Sequence, residues 1–102
     1  MTETANQLET TTVYGLSPDC RYRRVVDEGV ILRQSAGEVL VSNAVGARVM
    51  DLLDGTNPVA AIVDRLVSEL DVDRDTAERD LAAFLQGLLD GGVIEPRASA
   101  AD

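Results

Sequence analysis

The chain has 102 residues, with 18 acidic side chains against 9 basic ones, no histidine, one cysteine and a net charge of −9. That length allows one domain around one core, and the acidity argues against unspecific affinity for nucleic acid or anionic membrane, both of which attract basic surfaces. Without histidine the usual zinc sites and His-based triads are excluded, a lone Cys20 cannot close an internal disulfide, and no apolar run approaches the roughly 20 residues of a membrane span.

Met1 to Thr12 is rich in Thr and Glu, lacks both a basic start and an apolar h-region, and reads as a flexible tail of a cytoplasmic protein. Tyr14 to Cys20 holds Gly15, Ser17, Pro18 and Asp19, turn formers that read as an irregular lead-in. Residues 1–20 are thus expected to be tail and lead-in, 21–96 the domain and 97–102 a polar tail. Cys20 reads as a small filler, since no base stands ready to activate it.

Three β-prone runs follow: Arg21 to Val26, Val30 to Gln34 and Glu38 to Val41. The gaps Asp27-Glu28-Gly29 and Ser35-Ala36-Gly37 are glycine-containing hairpin loops, so the runs form an antiparallel meander. Its third strand lies at an edge, with an outer row of N–H and C=O groups that is either covered by helices or open to a guest strand.

Ser42 to Gly55 predicts the first helix, with Asn43 as N-cap, an apolar stripe of Val45, Val49, Leu52 and Leu53, and Arg48, Asp51 and Asp54 on the other side. Gly55 supplies a left-handed stop, and Asn57 is the expected cap of a second helix that opens at Pro58. That helix carries Val59, Ile62, Val63, Leu66 and Leu70. Asp73 caps a third, from about Arg74 to Asp90, with the stripe Ala77, Leu81, Phe84, Leu85, Leu88 and Leu89. Gly91-Gly92 ends it, and Val93-Ile94-Glu95 suits a very short terminal strand. The expected class is α+β: a three-stranded antiparallel sheet followed by a three-helix, winged-helix-like bundle.

No catalytic motif emerges. Asp71-Val72-Asp73-Arg74-Asp75 alternates acids like a calcium loop but lacks the glycine and the closing glutamate such a loop needs, and no glycine run forms a phosphate cradle. The third helix sets Arg74 and Arg79 against Asp75, Glu78, Asp80 and Asp90, the wrong balance for a DNA reader. Ser42 opens a helix as the serine of an acyl carrier would, but three preceding strands do not suit a four-helix carrier.

The ordered set of the hairpin strands Val30 to Gln34 and Glu38 to Val41, Ser42-Asn43 opening a helix with Val45-Gly46-Ala47, the ending Leu52-Leu53-Asp54-Gly55, and Asp80-Leu81 through Phe84-Leu85 to Leu88 before Gly92-Val93-Ile94 resembles the PqqD family, or RiPP recognition elements. The resemblance covers about Arg21 to Glu95. It departs from the family at Ser42, where a hydrophobic residue is usual, and at Pro58-Val59, where Thr-Val is. It implies a non-catalytic, cofactor-free peptide chaperone that binds the leader of a ribosomally made precursor peptide. The partners would be that leader and a modifying enzyme, either a radical SAM enzyme, a cyclodehydratase or a leader peptidase. The implied peptide site is the third strand, Glu38, Val39, Leu40, Val41 and Ser42, facing Asp80, Ala83, Phe84 and Gly87 of the third helix. Asp80, Ala83 and Gly87 follow one another along one helix edge, where small residues leave either a trough or room for close packing. The competing reading is a winged-helix DNA-binding domain or a regulatory protein-interaction domain.

Overall fold

The structure, a computed structural model, describes residues 10–97. In chain order the elements are β1 (Val13–Leu16), β2 (Cys20–Val25), β3 (Glu28–Arg33), β4 (Glu38–Ser42), α1 (Ala44–Leu52), β5 (Asp54–Pro58), α2 (Val59–Glu69), α3 (Arg74–Asp90) and β6 (Ile94–Pro96). The fold is α+β. The strands form two three-stranded antiparallel sheets, β5-β1-β6 and β2-β3-β4; the latter is the expected meander, except that Glu28 and Gly29 belong to β3 and pair with Val25 and Arg24, so the first loop is Val26-Asp27 and not Asp27-Glu28-Gly29.

The second sheet departs from the sequence reading. The segment read as an irregular lead-in contains β1, the central strand of that sheet, with Val13 and Tyr14 buried and pairs running from Val13 to Pro58 and from Leu16 to Ile94. Part of the expected tail is also held: the Thr12 and Thr10 carbonyls accept from the Val59 and Ala60 amides. Those are first-turn amides of α2 with no partner inside the helix. The chain's own start therefore caps α2, and Asn57 does not. Pro58 sits at the N-cap without a side-chain bond, while Asn57 Nδ2 donates to the Leu52 carbonyl and closes the end of α1. Gly55 has the left-handed backbone expected of it, φ 88°, but within β5 rather than at the helix end. At the other terminus Arg97 is tied in, its amide donating to the Val13 carbonyl and its guanidinium to that of Leu16. The rest of both expected tails, residues 1–9 and 98–102, lies outside the described residues.

The other caps form as anticipated. Asn43 accepts from the Gly46 amide at 2.9 Å and Asp73 from the Thr76 amide at 2.8 Å. The helices bury Val49, Leu52, Ile62, Val63, Leu81 and Leu85 against Ile31, Tyr14, Cys20 and Val93 of the strands and loops. Each large aliphatic side chain so buried contributes about 1.5–3 kcal/mol before entropy is charged against it. Cys20 is fully buried, and burial pushes its thiol pKa up, as an inert core position requires.

Two ion-pair systems fix α1. Arg48 donates twice to Glu69, at 2.8 and 2.7 Å, joining α1 to the end of α2. On the other flank Asp51 accepts from Arg24 and, at 2.7 Å, from the Tyr22 hydroxyl, which joins α1 to β2. Burial, reinforced by the Asp51 carboxylate, pushes Tyr22 up to about 12.

Candidate functional site

β4 is an edge strand of its sheet, and the register determines what its open side offers. The Gln34 amide donates to the Asp19 carbonyl at 2.9 Å, extending the β2-β3 ladder beyond Arg33. In an antiparallel ladder the bonded residues alternate, so Glu28, Val30, Leu32 and Gln34 turn their amides towards β2. Gly29, Ile31 and Arg33 turn theirs towards β4, where they meet Ser42, Leu40 and Glu38. The N–H and C=O groups of Val39 and Val41 are therefore left on the open edge.

Beside that edge lies a cleft of about 530 Å³. Its walls are Val41 and Ser42 at the end of β4, the cap Asn43 with Val45, Gly46 and Val49 of α1, Leu66 of α2, Leu70 and Val72 after it, and Ala77, Asp80, Leu81 and Phe84 of α3. The lining is mainly apolar, with Asp80 as the acidic group on its rim. The Arg48–Glu69 pair clamps α1 to α2 and so sets the separation of two of its walls.

Of the residues expected to form the site, Val41, Ser42, Asp80 and Phe84 are brought together in the cleft. Glu38, Val39 and Leu40 lie further along β4, Leu40 turned inward and packed on the core, Val39 exposed. Ala83 and Gly87 are exposed on α3 outside the cleft lining. A Cβ on Gly87 would meet nothing within 4 Å, so Gly87 does not serve close helix packing. Ser42 points its hydroxyl inward: a Cβ on Gly46 would stand 2.8 Å from Ser42 Cβ, and the hydroxyl oxygen has no hydrogen-bond partner.

The cleft also holds residues that periodicity assigned elsewhere. Val45 was expected on the buried stripe of α1 but is 47% exposed, and Leu70, expected on the stripe of α2, is 39% exposed. Both stand at the cleft. The available signal was a surplus: Leu70 and Val72 flank the turn between α2 and α3, where solvated residues would serve the turn as well.

The profile of the family described as Coenzyme PQQ synthesis protein D (PqqD) matches residues 28–94. The chain belongs to the PqqD family. Among curated relatives it is 38% identical to a PqqA binding protein of Rhodopseudomonas palustris (strain TIE-1) over 56 residues, 55% of each chain. It is 36% identical to that of strain BisB5 over 63 residues, 61% of this chain and 62% of the relative. The chain thus spans little more than half the length of the curated relatives it matches. Among solved structures it is similar to TbiB1 in complex with the TbiA(beta) leader peptide, with TM-score 0.76 and 34% identity, over 83% of this chain and 99% of that one. It is also similar to a lasso peptide synthetase B1 complexed with the leader peptide, with TM-score 0.74 and 29% identity, over 81% and 98% of the two chains. The heterocyclase TruD shares the fold at 17% identity and TM-score 0.63, over 85% of this chain and 12% of TruD.

Proposed function

We propose that this chain is a non-enzymatic, cytoplasmic peptide chaperone that binds the leader of a ribosomally made precursor peptide and presents it to a modifying enzyme. The observation that carries the reading is the pairing of an open strand edge at Val39 and Val41 with the apolar cleft beside it. A guest strand added to β4 gains backbone hydrogen bonds from the edge, and its alternate side chains fall on the cleft side, between β4 and α3. Glu38 to Ser42 would supply the edge, and Phe84 and Asp80 the facing wall. Ala83 and Gly87, exposed on α3 outside the cleft lining, would meet the guest strand where it runs beyond the cleft.

The two solved relatives named for their leader-peptide complexes, and the curated relatives named for binding PqqA, support the same assignment. The receiving enzyme would be a radical SAM enzyme, a cyclodehydratase or a leader peptidase. Calorimetric titration with the leader peptide encoded beside the gene, followed by amide chemical-shift mapping, tests the reading. Shifts should gather on Glu38 to Ser42 and on α3 from Asp80 to Gly87. Binding that leaves both stretches unshifted overturns it.

A further inference from the structure

The side of the β2-β3-β4 sheet turned away from α1 carries a second surface. Side chains alternate across a strand, so Leu40 and Ile31, which pack inward, leave Val39 and Val41 of β4, Leu32 and Val30 of β3, and Arg21 and Arg23 of β2 on the outer face. The register sets them in two rows, Arg21–Leu32–Val39 and Arg23–Val30–Val41. Val39 and Val41 are 58% and 61% exposed, and Leu32 is 37% exposed.

Glu28, opposite Val25, is a carboxylate on this face, but the face differs from the rest of the molecule in carrying arginines without an acidic partner. Among the described residues, Arg24, Arg33, Arg48, Arg65, Arg74 and Arg97 each form an ion pair with a carboxylate. Arg21 donates only to the Pro18 and Cys20 carbonyls, and Arg23 forms no ion pair. Two of the three arginines without an acidic partner thus flank the same apolar rows.

The β2-β3 hairpin adds a separate sign. Its two-residue loop places Val26 at φ 57°, and Val26 is 84% exposed. A β-branched residue is strained there, at a turn position that favours glycine, and its burial does not repay the strain. Neighbouring Val25, on the outer face, is 47% exposed, so the apolar surface runs out to the hairpin tip.

We propose that this outer face, which is turned away from α1 and meets the peptide cleft at Val41, docks a partner protein through an apolar patch bordered by carboxylates. The unpaired guanidinium groups of Arg21 and Arg23 select acidic groups on the partner, and desolvating the valine and leucine rows supplies affinity. A second copy fits poorly, because stacking the face on itself brings together four unpaired arginines on two bodies of charge −9. On the leader-binding reading, the partner is the enzyme that receives the peptide, and one sheet holds peptide and enzyme at once.

The test uses the full chain and the separately purified enzymes encoded beside its gene, measuring affinity for each enzyme and for the leader peptide in parallel. Arg21→Glu/Arg23→Glu and, independently, Leu32→Ser should each weaken enzyme binding at least tenfold and leave leader affinity within twofold, while Arg21→Lys/Arg23→Lys should retain most enzyme binding. Raising salt should weaken the wild-type complex and have little effect on the charge-reversed one. If charge reversal perturbs folding, as circular dichroism would show, Arg23→Glu alone and Leu32→Ser carry the comparison. Unchanged enzyme affinity in these variants overturns the proposal. So does a wild-type dimer, seen by sedimentation, that Leu32→Ser dissociates. Failure of the leader to bind at all speaks against the cleft reading and leaves the enzyme comparison standing.

Discussion

Ser42 fills the space that a side chain on Gly29 would need. The two residues are cross-strand partners, and a Cβ on Gly29 would stand 2.6 Å from Ser42 Oγ and 3.0 Å from the Tyr22 ring. Gly29→Ala should therefore cost about 1–3 kcal/mol by overpacking. Ser42→Ala removes a buried hydroxyl that has no hydrogen-bond partner, so alone it should be neutral or stabilising by up to ~1 kcal/mol, and combined with Gly29→Ala it should restore part of the loss. Urea unfolding of the two single variants and the double variant measures the coupling. Strict additivity would show that the two residues do not share the space.

The edge register sorts three proline substitutions. Val39→Pro and Val41→Pro remove outward amides and leave the β3-β4 ladder intact, so the fold should persist while each costs leader binding about 0.5–1.5 kcal/mol, or about twofold to tenfold in Kd. Leu40→Pro removes an inward bond to Ile31 and should destabilise the protein by about 1–3 kcal/mol. Equal stability loss in all three would contradict the register. Calorimetry and thermal melts separate the two effects.

Gly87 lies inside the 17-residue helix α3 with open space where a side chain would go. Gly87→Ala should raise stability by about 0.5–1 kcal/mol through helix propensity alone. Gly87→Arg should also fold normally, and on the leader-binding reading it weakens the peptide complex by crowding the guest strand. The urea midpoint and the leader affinity together check the pair.

Relief of backbone strain is expected at the hairpin tip. Val26→Gly exchanges a strained β-branched residue at φ 57° for one at ease there, and should stabilise the fold by up to ~1 kcal/mol after the extra chain entropy of glycine is subtracted. A loss of stability on urea unfolding would mean that the Val26 side chain makes a compensating contact.

Acid should unfold this protein through its paired carboxylates. The hydrogen bond from Arg48, helped by Arg65 and opposed by burial, holds Glu69 down at about 2 instead of the ordinary 4.5. For Asp51, burial works upward, but hydrogen bonds from Arg24 and Tyr22 outweigh it and the net shift is downward. A depressed native pKa means that the unfolded chain binds more protons, so the stability from Glu69 is complete above about 4.5 and is lost as pH falls towards 2. The urea midpoint should decline across that window, and Glu69→Gln should flatten the decline and lower the plateau at neutral pH.

Most of what local period governs was legible in the chain itself, Val45 and Leu70 being the exceptions. Alternation with glycine loops marked the β2-β3-β4 meander and the edge position of its third strand, stripes of Val and Leu marked three helices, and Asn43 and Asp73 capped where their side chains said they would. The peptide site rests on the resemblance to the PqqD family, because the small residues of the third helix by themselves suit a trough and close packing equally.

Only the tertiary structure decided what depends on distant partners. Val13 and Tyr14 are β-prone, but Gly15 and the turn formers after it outweigh them locally, and the segment is a strand because Asp54–Pro58 and Ile94–Pro96, far along the chain, bond to its two sides. The cap of α2 passed from Asn57 to the Thr10 and Thr12 carbonyls for the same reason: a backbone acceptor brought in by β1 was nearer than any local side chain. Which amides of β4 face outward depends on hydrogen-bond parity, which side-chain alternation does not encode. And Val45, apolar and correctly spaced for the core, stands half-exposed at the cleft because α1 turns Ala47, Val49, Met50 and Leu52 into the core and leaves Val45 on its flank.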